Sequence, residues 1–190
     1  MHNARNQIRL IQRQSMYTSK WRPAASIKVK ALGLHWREGK LLAVEVLDDQ
    51  GHLKGVRPLG GSIEFGEHWQ SALIREFKEE LGVDAEIVGT PLVMENIYTH
   101  EGEPGHEVLF ICEVLFSIAN FENQSSIEFH EDSGTQCTAR WFDLAELDLP
   151  EGPALFPVGL KKALQGKHHC QADTATRSPV CAEAHCTVAE

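Results

Sequence analysis

Three carboxylates crowd into the run Arg75-Glu76-Phe77-Lys78-Glu79-Glu80. On an α-helix, at ~100° per residue, Glu79 falls about −60° and Glu80 about +40° from Glu76, so one stripe carries all three. Like charges spaced i, i+3 and i+4 destabilise a bare helix by ~0.2–0.5 kcal/mol per pair. No Lys or Arg is expected on that stripe to offset them, since Lys78 lies on the far side. A hard divalent cation would do so, and Mg²⁺ in particular binds a few carboxylates together with the phosphate oxygens of a substrate. Taken alone, the stripe is also what a solvated acidic face looks like. Two other runs carry reactive side chains. Tyr98, His106 and Glu107 lie in an unusually polar stretch between two apolar ones, and Glu128 and Glu131 lie in a long polar segment after it. Tyr98 has the aromatic face on which a base can stack. Each of these residues also has an ordinary reading as hairpin packing or a solvated loop acid.

The elements that must position these groups are legible as periodicity. Leu73, Ile74, Phe77 and Leu81 form an apolar stripe beside the acidic one, which predicts a helix over 68–81 with its carboxylates at the rim of the buried face. Gly82 suits a left-handed C-cap, and Gly66 is the one candidate N-cap. Before the helix, alternation predicts strands over 25–34 and 41–47. The turn Asp48-Asp49-Gln50-Gly51 returns the chain antiparallel through 53–56. Pro58-Leu59-Gly60-Gly61 reads as a loop and 62–65 as a short extended piece. After the helix, strands are expected over 85–88, 92–98 and 107–116, with a turn at 101–105. A polar loop is expected over 117–137, then a short strand over 139–142. Asp143 should cap a turn of helix through Leu147, and a final helix is expected over 155–164.

The 190 residues suit one ordinary domain with extensions, and 42% apolar content is enough for a real core. No apolar run approaches the ~18 residues of a membrane span, so the sequence reads as soluble. The net charge of −9 conceals a division: the first 37 residues hold eight basic and no acidic residues, leaving ten basic against 27 acidic in the rest. An acidic body disfavours nucleic-acid binding through phosphate neutralisation, so an anionic substrate would need bound cations. Five cysteines without a secretory leader argue for a reducing, cytoplasmic setting. Residues 1–24 read as a basic extension, or as leader to a start at Met16, and 166–190 as a disordered tail. In that tail His168, His169, Cys170, Cys181, His185 and Cys186 match no zinc-ligand spacing.

Gly61, Glu67, Arg75, Glu76, Phe77, Glu79, Glu80, Gly82 and Val83 match G-x5-E-x7-R-E-U-x-E-E-x-G-U, where U is apolar. This is the Nudix box, with a chance expectation on the order of 10⁻⁷ in a chain of this length. The chain thus resembles the Nudix (MutT-like) hydrolases over residues 25–165. The resemblance implies an α/β fold, an α/β/α sandwich with a mixed β-sheet whose box forms a loop–helix–loop. It also implies hydrolysis of a nucleoside diphosphate linked to another group, dependent on Mg²⁺ or Mn²⁺. Such ions bridge the pyrophosphate oxygens, stabilise charge and lower the pKa of a bound water. By the same resemblance Glu76, Glu79 and Glu80 bind the metal, joined by the Gly61 carbonyl and by Glu131. Glu67 pairs with Arg75, and the general base lies in the box helix or among Glu128 and Glu131. Tyr98, His106 and Glu107 become substrate-binding candidates. The expected partner is a small-molecule nucleotide, with no membrane and no nucleic acid; self-association into a homodimer stays open. The rival readings are a catalytically silent nucleotide-binding module of the same fold, disfavoured by the intact box, and RNA-end processing, disfavoured by the acidic body.

Overall fold

The computed structural model describes residues 21–117, 121, 124–131 and 134–166. The expectations for residues 1–20 and for the tail from 167 lie outside them. Among the described residues ten strands form two sheets. In one, β5 (Leu59–Ser62), β1 (Ile27–Leu34), β7 (Glu103–Leu115) and β6 (Glu86–His100) lie side by side in that order. β1 runs parallel to β7 and antiparallel to β5, so the sheet is mixed. In the other, β10 (Ala154–Leu155), β4 (Leu53–Arg57), β3 (Lys40–Leu47), β9 (Gln136–Phe142) and β8 (Ser126–His130) follow in order, and β2 (Trp36–Arg37) pairs with β3.

Period-2 alternation sends each central strand into two cores. Ala31, Leu42 and Val44 join Leu73 and Phe77 of the helix α1 (Trp69–Leu81) in one core. Leu32, Leu34, Leu41 and Ala43 face the other core, with Val56, Leu109 and Ile111. The second core is closed by Leu160 and Leu164 from a helical segment at 160–166, here α2. Helix, sheets and helix make the expected α/β/α sandwich.

Several elements differ from expectation, each for a physical reason. Leu59 to Gly61 are strand rather than loop. They pair with β1 through Gly33, Leu32 and Ala31, and Gly60 takes φ 121° where its Cα meets the Ala31 carbonyl and a side chain has no room. α1 starts after His68, in extended conformation and with no side-chain cap, rather than after Gly66. Ile74 is 43% exposed while Glu76 is buried, so the buried stripe is rotated toward the acids. The two strands expected at 85–88 and 92–98 are one strand, β6, which absorbs Pro91 in an irregularity between Val88 and Leu92. The hairpin turn shrinks to Glu101-Gly102, both at positive φ as a two-residue turn requires. The expected loop at 117–137 contains β8, where Ile127 and Phe129 alternate inward. The last expected helix begins late, because β10 and a cis Phe156–Pro157 bond take its first residues.

α1 packs closely on the sheet at Gly33, where an added Cβ would lie 2.5 Å from Phe77 Cε2 and 3.0 Å from Val114 Cγ2. Gly33→Ala should therefore destabilise the fold by roughly 1–3 kcal/mol through overpacking, as read by thermal melting. An unchanged melting temperature would show the ring to be free to move.

Candidate active site

The loop before α1 and the helix itself are joined by one guanidinium. Arg75 Nε and Nη2 donate to the two carboxylate oxygens of Glu67, each at 3.0 Å. Its Nη1 donates to Glu76 Oε1 at 3.0 Å and Glu79 Oε2 at 2.9 Å, and Nη2 also reaches the Ser62 carbonyl at 3.1 Å. Glu67 accepts from the Glu64 N–H as well, which with Arg75 holds its carboxyl below the usual range. Arg75 is raised above its ordinary value, above all by Glu67. The expectation of an acidic stripe without a cation is thus corrected. Arg75 lies off the stripe on a helical wheel, but its long stem brings the charge onto it. At the other end, Gly82 takes φ 69° and donates its N–H to Lys78 O, ending the helix as expected.

The three carboxylates have separate environments. Glu79 is about half exposed and turned toward Arg75. Glu76 is buried, with its carboxyl against the Gly61 Cα so closely that any side chain at 61 would strike it. Glu80 points into the space between α1 and β5. Burial, with Glu76 and Glu131 as further causes, pushes its carboxyl up to about 7, against the opposing pull of Arg57 and of a hydrogen bond from the Gly60 N–H. Its Oε2 is buried without a hydrogen-bond partner.

Arg57, at the end of β4, was not singled out from the sequence. It donates to the carbonyls of Pro58 and Gly60 at 3.2 and 3.3 Å and is ion-paired with Glu131. It therefore links Glu80 to Glu131, whose N–H donates to Thr135 O. Cys137 lies alongside, its thiol pushed up to about 11 by burial and by Glu131. Glu128 faces the opposite side of β8, exposed and bonded to Gln136, so of the two later glutamates only Glu131 comes to the carboxylates. Only its place just before Gly60 and Gly61 marks Arg57 in the sequence, since no period connects a strand end to a helix twenty residues on.

Tyr98, His106 and Glu107 line one cavity of about 160 Å³, together with Lys28, Lys30, Ser62, Trp21 and Arg22. Glu107 accepts from Lys30 Nζ at 2.8 Å, from Asn96 Nδ2 at 3.1 Å and from the Tyr98 hydroxyl. Burial, then Glu107, pushes the Tyr98 phenol up to about 12, and the ring packs over Gly105. His106 lies at the rim, with Nε2 3.0 Å from Glu95. Ser62 belongs to both places: its carbonyl accepts from Arg75 and the residue lines the cavity. Lys30 and Asn96 were likewise unmarked by the sequence.

The donor set suits a hard cation. Carboxylate and carbonyl oxygens are the ligands Mg²⁺ and Mn²⁺ prefer, and a buried carboxylate oxygen with no partner needs a positive group. Among the described residues, however, no three His, Cys, Asp or Glu side chains already stand together at metal-holding distance, because Glu79 is turned to Arg75.

A family model for the NUDIX domain matches residues 27–159. The chain belongs to the Nudix family and is a Nudix hydrolase. Among solved structures, the solution structure of the Escherichia coli ORF135 protein is similar at 21% identity and a TM-score of 0.54, covering 77% of this chain and 94% of its own. A MutT Nudix hydrolase from Burkholderia pseudomallei aligns at 23% identity and a TM-score of 0.49, over 72% of this chain and 95% of its own. None of the curated proteins matches significantly. No helix among the described residues is long and apolar enough to cross a membrane.

The position of Glu80 makes stability depend on pH with a definite sign. A carboxyl raised in the fold from its ordinary 4.5 to about 7 favours its neutral form. The stability this gives is intact below 4.5 and is lost as pH rises through 7. In metal-free protein Glu80→Gln should therefore stabilise the fold by about 2 kcal/mol at pH 8 and by almost nothing at pH 4. Equal melting shifts at both pH values would show that the carboxyl is not desolvated.

Proposed function

We propose that this Nudix hydrolase is a divalent-metal-dependent pyrophosphohydrolase acting on a nucleoside diphosphate linked to a second group. The observation that carries the reading is the pairing of the buried Glu76 and the partly buried Glu80 with the glycine strand Gly60-Gly61. One oxygen of Glu80 there is buried with no hydrogen-bond partner among the described residues. Glu76, Glu80 and Glu79 with the Gly61 carbonyl would hold Mg²⁺ or Mn²⁺, with Glu131 across the cleft. When bound, such an ion neutralises the pyrophosphate and activates water. Arg75 positions the helix end by tying Glu67, Glu76 and Glu79 to β5. Arg57 positions Glu131 beside Glu80. Glu131 accepts the proton of the attacking water, whose oxygen bonds to phosphorus as the bridging P–O bond breaks. The products are a nucleoside monophosphate and the phosphorylated second group. Tyr98, His106 and Glu107 bind the rest of the substrate, in the cavity that Ser62 joins to the carboxylates.

The test is hydrolysis of a panel with Mg²⁺ and with Mn²⁺: nucleoside triphosphates including oxidised ones, ADP-ribose, nucleotide sugars and dinucleoside polyphosphates, with product identification. Glu79→Gln and Glu80→Gln should each lower kcat on the order of 100-fold or more while the circular dichroism spectrum is kept. Undiminished turnover in either variant would overturn the metal assignment.

A further inference from the structure

The cavity beside the carboxylates is built for more than a neutral group. In a chain of net charge −9, three of its lining side chains, Arg22, Lys28 and Lys30, are cations. Two have partners: Arg22 makes a two-bond fork to Asp49, at 3.0 and 2.6 Å, and Lys30 pairs with Glu107. Glu107, the one carboxylate in the lining, is turned inward with its side chain 12% exposed and accepts from Lys30, Asn96 and Tyr98. Its charge is accordingly met within the wall. The side chain of the exposed Lys28 carries neither ion pair nor hydrogen bond among the described residues. Lys28 is thus the cation of this lining whose side chain has no acidic partner among the described residues, beside a carboxylate already satisfied.

Strand register places that charge relative to the chemistry. Lys30 lies opposite Ser62, and Leu32 opposite Gly60, whose N–H holds Glu80. At ~3.3 Å per residue, Lys30 stands ~7 Å and Lys28 ~13 Å along β1 from the level of Glu80. Lys30 and Lys28 therefore stand two and four residues along β1 beyond the level of Glu80, in the wall of the cavity. Trp21 and Tyr98 wall the same cavity and limit what can enter beside it.

We propose that this cavity takes a second phosphate of the substrate, a monoester remote from the anhydride that is cleaved, held by Lys28 with Lys30. The enzyme then prefers pyrophosphates whose uncleaved part is itself phosphorylated. The inference rests on the proposed function for the place of the anhydride. The remote phosphate has two sources, the nucleoside or the second group, and both present the same monoester to the lysines.

Binding of non-hydrolysable fragments tests it without turnover. Isothermal titration of the full chain, with Mg²⁺ present, compares adenosine 3′,5′-bisphosphate with adenosine 5′-monophosphate, and ribose 1,5-bisphosphate with ribose 5-phosphate. In at least one pair the bisphosphate should bind about tenfold more tightly, and the pair that does so identifies the source. Lys28→Ala should remove the preference and Lys28→Arg should keep it, with both variants melting like the parent. Equal affinities within both pairs, no binding of either bisphosphate, or a preference untouched by Lys28→Ala would overturn the proposal. Equal affinities would also be the result if the cavity holds a base stacked between Trp21 and Tyr98. A panel that shows no hydrolysis while the bisphosphate preference persists would sink the pyrophosphohydrolase reading and leave the phosphate site standing.

Discussion

One guanidinium holds the acidic end of this molecule in order. Arg75 has five N–H donors in a rigid fork, and they meet both oxygens of Glu67, one each of Glu76 and Glu79, and the Ser62 carbonyl. A lysine offers a single point charge and could not span these directions at once. Through that fork the loop at 63–68, the middle of α1 and the edge strand β5 are tied into one piece. The strength lies in the sharing. Each ion pair alone, partly open to water, would contribute little. A cation shared with Glu67 also lets Glu76 and Glu79 stand within one helical turn of each other without the repulsion that such a pair has unaided.

How far the sequence discloses this arrangement varies with the kind of interaction. Glu67, Arg75, Glu76, Glu79 and Glu80 lie on one continuous loop and helix, where spacing converts directly into angle, and their neighbourhood is legible. The strands β1, β3, β4 and β7 are legible too, because each is long enough to show alternation or an apolar run between turn residues. Leu59 to Gly61 were not, since glycines beside a proline carry the composition of a loop. What makes them strand is their pairing with Ala31, Leu32 and Gly33, which a local window cannot see. Ile74 and Glu76 exchanged expected burial for a related reason. The helix is rotated by the contact of Phe77 with Gly33, and the bare β5 glycines leave a hollow that Glu76 enters. Arg57, Lys30 and Asn96 were unmarked because their meaning lies in what they face across strands far apart in sequence.

The mixed sheet then explains why two chemically different places adjoin. Alternation along β1 sends Ala31 and Gly33 to the helix core and Lys28, Lys30, Leu32 and Leu34 to the other side. One strand thereby carries apolar packing at its buried end and cationic side chains at its open end, on the same face. β5 runs antiparallel beside it and brings Gly60, Gly61 and Ser62 past that boundary, with the carboxylates at one end and the cavity at the other. A substrate lying along β5 would meet acid first and base second. In an acidic chain, that order separates the part of an anion needing an added cation from the part the protein neutralises itself.

The metal-free fold also holds a deficit at its centre. Glu80 is desolvated, faces Glu76 and Glu131, and leaves one oxygen without a partner, while Arg57 and the Gly60 N–H recover only part of the cost. A protein selected for stability alone would place an apolar residue there, since buried charges are commonly replaced by packed hydrophobes without loss. Retaining the carboxylate is rational if the deficit is relieved on binding, because a ligand that binds only the folded state adds RT ln(1 + [L]/Kd) to its stability. On the proposed function, the cost at Glu80 would be relieved when a cation binds. The missing side chains of Gly60 and Gly61 do two things at once: they let the carboxylates approach the sheet, and they prevent the approach from being satisfied by the protein alone.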